Sequence, residues 1–237
     1  MTRRQPVRSE EATVATVPSV SDEPSPPSSR TKVLRKSYRG RYDEETVWAI
    51  LDEGIVCHLG VTTDLGPVVI PTAYARSGDM LYLHGARANG VLNAAIRKSV
   101  CVTVTLVDGL VLARSAFNHS MNYRSVMVFG VANEVIDPEK KRDALTDFVE
   151  HVAPGRAAGT RPPTDAELRA TLVLYLPLVE SSAKVRTGPP HDDPEDMALP
   201  YWAGVVPLTV VPGPPEPDEA SAGLPVPDHA THWRRPG

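Results

Sequence analysis

Val100-Cys-Val-Thr-Val-Thr-Leu-Val-Asp-Gly-Leu-Val-Leu-Ala-Arg-Ser-Ala116 is the stretch on which the fold turns. Val100, Val102, Val104 and Leu106 fall on one face of an extended chain, and Cys101, Thr103 and Thr105 on the other. That two-residue period marks a half-buried β-strand. Asp108-Gly109 is a two-residue hairpin signal, so a return strand is expected over 110–116. Directly downstream, 115–130 places His119, Ser120, Asn122, Tyr123, Arg124 and Ser125 ahead of the apolar run 126–129. Hydrogen-bonding side chains this dense at the mouth of a strand make poor core. They suit a polar, phosphorylated ligand.

Working outward, the same alternation recurs between turn residues. Strands are expected over 55–63, 68–76 and 80–84, joined by Asp64-Leu65-Gly66-Pro67 and Ser77-Gly78-Asp79, and such short links imply antiparallel pairing. Further strands are expected over 123–136, about 173–187 and about 203–211. Helices interrupt them. Asp43 is a suitable N-cap for a helix over 43–54 with Val47, Ile50 and Leu51 inward and Gly54 as its stop. A short helix is expected over 88–97. Asp137-Pro138 opens another, with Leu145, Phe148, Val149 and Val152 on one stripe. Thr164-Asp-Ala-Glu167 is a capping box. Mostly antiparallel strands with inserted helices point to a β-barrel or strongly curled sheet with α decoration, not to a doubly wound fold.

The 237 residues fit one domain with tails. Residues 1–36 are rich in Ser, Thr, Pro and Glu at their start and read as a disordered tail. Residues 212–237 open on Pro-Gly-Pro-Pro and read as a proline-rich tail, which leaves 37–211 as the folded unit. Net charge is −4, so nothing global calls for nucleic acid. Residues 1–41 hold nine Lys/Arg against four acids. With Tyr38 the only aromatic there, this reads as a solvated arm and not a base-stacking one. No apolar run approaches the roughly 20 residues of a membrane span, and no signal peptide is visible, so a cytoplasmic protein is expected. Cys57 and Cys101 are expected to be buried free thiols.

No P-loop, G-x-G-x-x-G or G-x-S-x-G is present. Cys57 and His58 are adjacent on a strand and point to opposite faces, so they form no nucleophile–base pair. His191, Asp192, Asp193, Glu195 and Asp196 cluster between prolines and read as a solvated loop, so no metal site is expected. Three segments instead converge on an anionic, aromatic ligand. The 83–90 segment ends a strand and opens a helix, offering free N–H groups beside Arg87. The 69–74 segment carries Pro71 inside a strand, which implies an edge or bulge with unpaired backbone. The third is Tyr123, Arg124 and Ser125, with Arg124 facing away from the other two.

Val56-Cys-His-Leu-Gly, Ile70-Pro-Thr-Ala-Tyr, Leu81-Tyr-Leu-His-Gly-Ala, the strand from Val102 to Arg114, and His119-Ser-Met-Asn-Tyr-Arg-Ser-Val carry a resemblance to the pyridoxamine 5′-phosphate oxidase-related family. The branch is that of flavin-nucleotide-binding, nitroimidazole-resistance-like proteins. Ser182-Ala-Lys-Val-Arg-Thr-Gly and Tyr201-Trp-Ala-Gly-Val-Val-Pro-Leu fit it too. The resemblance implies an FMN-binding split β-barrel, an antiparallel α+β fold that binds FMN at a homodimer interface. It sets the flavin ring along Ile70, Pro71 and Thr72, and the phosphate near His84, Gly85 and Arg87. Tyr123, Arg124 and Ser125 are implied polar contacts, and Trp202 a closing residue. Where many relatives have Ser-Arg, this chain has Ala88-Asn89-Gly90, with Asn89 as the remaining donor.

A flavin supplies the electron chemistry and the protein orients and tunes it; Lys184, Arg186 and Arg114 are candidates to stabilise the reduced ring. No side chain demands a role as nucleophile or general base. The expectation is therefore an FMN-dependent oxidoreductase acting on a small molecule: a nitroaromatic, a quinone or a second flavin-like cofactor. The alternative is a non-catalytic flavin or haem protein for storage or sensing, with His84 or His119 as the axial ligand.

Overall fold

The structure is a computed structural model and describes residues 24–235; expectations for residues 1–23 fall outside it. In chain order the strands are β1 (Gly40–Arg41), β2 (Val56–Thr63), β3 (Gly66–Ser77), β4 (Met80–Ala86), β5 (Ser99–Leu112), β6 (Ser120–Val131), β7 (Asn133–Glu134), β8 (Thr171–Pro177), β9 (Glu180–Arg186) and β10 (Gly204–Pro207). The helices are α1 (Glu44–Glu53), α2 (Gly90–Ala95), α3 (Pro138–Val152), α4 (Asp165–Ala170) and α5 (Asp228–Thr231). All pairs are antiparallel, in the order β1-β9-β6-β5-β2-β3-β4-β8-β7, with β10 beside β5. This is the expected split barrel, curled but not closed.

The split is made by β3. Its first half pairs only with β2, from Thr63↔Gly66 to Val56↔Ala73. Its second half, Tyr74 to Ser77, pairs with β4. One strand thus belongs to two sheets and leaves an open edge where it changes partner. The core lies between the sheets: Leu59, Leu81, Leu83, Val102, Val126 and Leu174 have at most 1% exposure. Local signals set α1 in place. Asp43 accepts from the Thr46 N–H at 2.7 Å, and Val47, Ile50 and Leu51 face inward. Gly54 ends the helix at φ −75°, and a Cβ there would stand 2.5 Å from both Tyr74 Oη and Val104 Cγ1. Close packing, not a left-handed turn, demands that glycine.

The hairpin expected at Asp108-Gly109 is not there. β5 runs unbroken from Ser99 to Leu112, and the register against β6 shifts between Val107 and Gly109, so Asp108 is the extra residue of a β-bulge. Gly109 does not have positive φ. A Cβ on it would lie 3.1 Å from Val205 Cγ1 and Val206 O, so it admits β10. The strand expected over 173–187 is likewise two. At Leu178, whose N–H donates to Asp79 O at 2.8 Å, the chain leaves β4 and crosses to the other end of the strand order. α3 buries Lys141, Ala144 and Phe148, a stripe rotated from the expected one. The Lys141 ammonium donates to Leu168 O (3.4 Å) and Thr171 O (3.1 Å), which caps α4. The capping box is present with both hydrogen bonds.

Both composition-defined tails touch the fold where they are described. Thr31 is 2% exposed, and Arg30 donates through Nε to Glu180 at 3.0 Å and stacks over Phe129. Trp233 donates to Val152 O at 2.8 Å. Both cysteines are free thiols, but only Cys57 is fully buried, and burial pushes it up to about 12.

Candidate functional site

The polar segment that follows β5 is clamped from behind. Asp192, with a side chain 1% exposed, accepts from the Arg114 N–H at 2.8 Å and its guanidinium at 2.9 Å. Asn118 donates to Asp193 at 3.3 Å. The stretch read as a solvated acidic loop therefore holds residues 114–118 against the barrel. Among the described residues no three His, Cys, Asp or Glu side chains gather as a metal site.

From this anchor β6 and β9 run side by side, Tyr123 opposite Arg186 and Ser125 opposite Lys184. Directly opposed residues share a face. The 3₁₀ turn Ser37–Arg39 precedes β1, which pairs with β9, and so brings the basic arm to the same place. The result is a cleft of about 430 Å³ in which Arg35, Lys36, Arg39, Lys184 and Arg186 surround Tyr123. Among the described residues none of these five cations has a carboxylate partner. Arg186 is 5% exposed, and its guanidinium donates to Asn122 Oδ1, Gly188 O (3.1 Å) and Pro189 O (3.0 Å), all neutral. Among the described residues its Nε has no partner. Burial, and then the nearby charge of Arg39, lower its pKa.

Arg124, one position along β6 from Tyr123, is the opposite case. It reaches across to Glu53 at the end of α1 and to Asp108 in the bulge, donating to both carboxylates. The bulge thus supplies a counter-charge for Arg124, four of whose five N–H groups are engaged by Glu53 and Asp108. Tyr123 and Ser125 do face the other way, as strand parity requires; Ser125 Oγ donates to Lys184 O at 3.3 Å.

The other expected contacts sit apart. Ile70, Pro71 and Thr72 lie on the half of β3 with β2 on one side and no strand on the other. Along the sheet this edge is three strand spacings, about 14 Å, from β6. Leu81 and Leu83 point into the core, so His84 points out beneath α3. Its ring meets Phe148 at 4.1 Å between centroids, in a cleft of about 560 Å³ with Leu145 and Val149 on its floor and Arg156 at its rim. His84 Nδ1 is buried without a hydrogen bond among the described residues, and burial lowers its pKa, keeping the imidazole neutral near pH 7. His119 differs, with Nδ1 already 2.9 Å from Ser115 O. Gly85 faces α2, where a Cβ would come 2.6 Å from Leu92 Cδ1. Arg87 is ion-paired with Glu134. Asn89 spends its side-chain oxygen capping α2 through Val91 and Leu92. Trp202 is exposed and leans over Gly204.

The expected residues therefore do not gather in one place: Ile70, Pro71 and Thr72 lie at the β3 edge, Tyr123 and Lys184 line the cationic cleft, His84 lines a cleft of its own, and Gly85, Arg87, Asn89, Arg124, Ser125 and Trp202 line neither cleft. Arg35, Lys36 and Arg39 were missed as site residues. Their excess positive charge was the signal, but a local charge count does not tell where an arm docks.

The family model described as pyridoxamine 5′-phosphate oxidase matches residues 43–185. Among solved structures, the flavocytochrome Anf3 from Azotobacter vinelandii is 44% identical, with 89% of this chain and 99% of that one covered and a TM-score of 0.84. The FAD and haem binding protein from Mycobacterium smegmatis is 34% identical over 84% of this chain and 98% of that one, with a TM-score of 0.78. A Bacteroides thetaiotaomicron protein assigned to 5-nitroimidazole antibiotic resistance is 27% identical over 62% and 86%, with a TM-score of 0.53. No curated protein matches the chain. The chain belongs to the pyridoxamine 5′-phosphate oxidase family, in its split-barrel form.

Proposed function

We propose that the chain is a flavin-nucleotide-binding redox protein that works as a homodimer. The observation that carries this is the open β3 edge. Over Gly66–Ala73 the strand has, among the described residues, a partner on one side only, so backbone donors and acceptors beside Ile70 and Thr72 can meet the polar rim of a flavin ring. Pro71 removes a donor that would otherwise need a strand partner. The names of two relatives, a flavocytochrome and an FAD and haem binding protein, support the same cofactor class. The flavin is FMN, as the family resemblance implies, or the dinucleotide of the mycobacterial relative. When bound it supplies one- or two-electron transfer to a small acceptor such as a nitroaromatic or a quinone. The chain binds and orients it along the β3 edge.

The second copy belongs on the outer face of β2, β3, β5 and β6. The cross-strand rows Pro71–His58–Thr103–Met127 and Val69–Gly60–Cys101–Phe129 contain no Asp, Glu, Lys or Arg, and Val69, Val107 and Met127 are exposed. Arg30, paired with Glu180, covers this face at Phe129; the remaining neutral, partly apolar part suits self-association. Gel filtration at the 25.6 kDa monomer mass would count against it. No helix among the described residues is long and apolar enough to cross a membrane, and two free thiols fit the reducing cytoplasm.

Haem is a second reading that His84 favours. A neutral imidazole with a buried, unbonded ring nitrogen, an apolar floor and a rim arginine for a carboxylate fit an iron porphyrin. Titration of the purified chain with riboflavin, FMN and haem, followed by absorption and fluorescence, tests both readings. Flavin fluorescence should be quenched, and Pro71→Arg should weaken binding about tenfold. A Soret band lost in His84→Ala but retained in His119→Ala supports haem at His84. A bound flavin bleached by a nicotinamide donor and restored by a quinone marks an enzyme; one that stays oxidised marks a carrier.

A further inference from the structure

We infer that the cationic cleft between the basic arm, β6 and β9 is a binding site for the diphosphate of a nucleotide, with the base stacked on Phe117. Five cations line one concave surface, and no described carboxylate answers any of them. Of the acids in the adjoining loop, Asp192 is held by Arg114, and Asp193 accepts from Asn118 on the cleft wall without pairing with any of the five cations. A charge brought out of water needs a counter-charge, yet Arg186 is buried against three neutral acceptors with Nε unpartnered. The missing negative charge is what a ligand brings. Planar guanidinium groups match phosphate oxygens in pairs, and five positive charges suit a group with several negative ones. Ser120, Asn118 and Tyr123 add neutral hydrogen-bonding groups. Phe117 stands 93% exposed on the wall of this cleft. A solvent-facing aromatic beside a cationic pocket is the pairing that takes a base and its phosphates together.

The diphosphate has two sources. It belongs to a flavin dinucleotide, in which case the inference rests on the flavin reading above, or to a separate nucleotide such as an electron donor. Calorimetric titration of the full chain with inorganic pyrophosphate, ADP, riboflavin and FAD separates these. The variants are Arg35→Glu/Lys184→Glu, which changes side chains still in contact with water, and Phe117→Ala. Pyrophosphate and ADP should bind the wild type, at least tenfold more weakly to the charge-reversed variant, and more weakly as salt is raised. Phe117→Ala should weaken ADP but not pyrophosphate. Riboflavin, which carries no phosphate, should be indifferent to all three changes. ADP that competes with FAD assigns the cleft to the flavin's own diphosphate; ADP that binds alongside FAD assigns it to a second nucleotide. Failure of pyrophosphate and ADP to bind, or equal binding by the folded charge-reversed variant, overturns the inference. Failure of riboflavin alone overturns the flavin reading and leaves the cleft standing.

Discussion

Arg124 and Arg186 lie on neighbouring strands within one register step of each other, and they have opposite surroundings. Arg124 is held by two carboxylates, one from the end of α1 and one from the β5 bulge. Arg186 is more deeply buried and, among the described residues, meets only an amide and two carbonyl oxygens. A guanidinium answered by carboxylates joins elements together. One left without an answer, beside four more cations, is arranged for something outside the chain. The difference between structure and site on this barrel lies in the neighbours of each arginine, because the residue type is the same.

The largest effect should come from breaking the satisfied member. Arg124→Met leaves Asp108 without a cation and Glu53 with only Arg235, 4.0 Å away. It should destabilise the chain by about 2 kcal/mol in urea denaturation, less than a fully buried pair because all three side chains are partly exposed. Arg186→Met removes an unanswered charge together with three hydrogen bonds. In the ligand-free chain it should cost about half as much, and it should abolish stabilisation by pyrophosphate. Lys184→Glu sharpens the contrast further. A carboxylate among Arg35, Arg39 and Arg186 supplies the missing charge from within and should raise the ligand-free stability by about 0.5 kcal/mol. The smallest effect concerns pH. Burial depresses the pKa of both His84 and His151, whereas unfolded imidazoles take a proton near 6.5. The unfolded state therefore binds more protons below that value, and stability present above it is lost as pH falls. The melting temperature should drop between pH 7.5 and 5, and less so in His84→Phe.

Much of the barrel is legible in the sequence because its signals are local. Asp43 and Gly54 bracket α1, Thr164 and Glu167 cap α4, and Ser77-Gly78 turns β3 into β4, each within a few residues. Asp108-Gly109 misleads because its chemistry is that of a turn. Its glycine is required by β10, nearly a hundred residues later, and its aspartate by Arg124. The break between β8 and β9 is hidden for a related reason. Leu172, Val173 and Leu174 are all buried, since both faces of β8 are covered, and an unbroken apolar run does not show where a strand changes sheet. At the site, Tyr123 is legible because strand parity sets it with Ser125 and apart from Arg124, and Lys184 because a cation beside a reduced flavin is an expected feature. Arg35, Lys36 and Arg39 are not, because only the docking of the arm onto β9 brings them to the cleft. His84 is legible both as a phosphate neighbour and as a haem ligand, and the alternation of Leu81 and Leu83 places it under α3.

Flavin binding is tested most directly by stripping the purified chain of small molecules, reloading it with FMN or FAD, and recording the spectrum after gel filtration. The expected result is a yellow dimer holding one flavin per chain, with the flavin released by Pro71→Arg. A colourless protein from both reconstitutions, with its fold intact by circular dichroism, would contradict it.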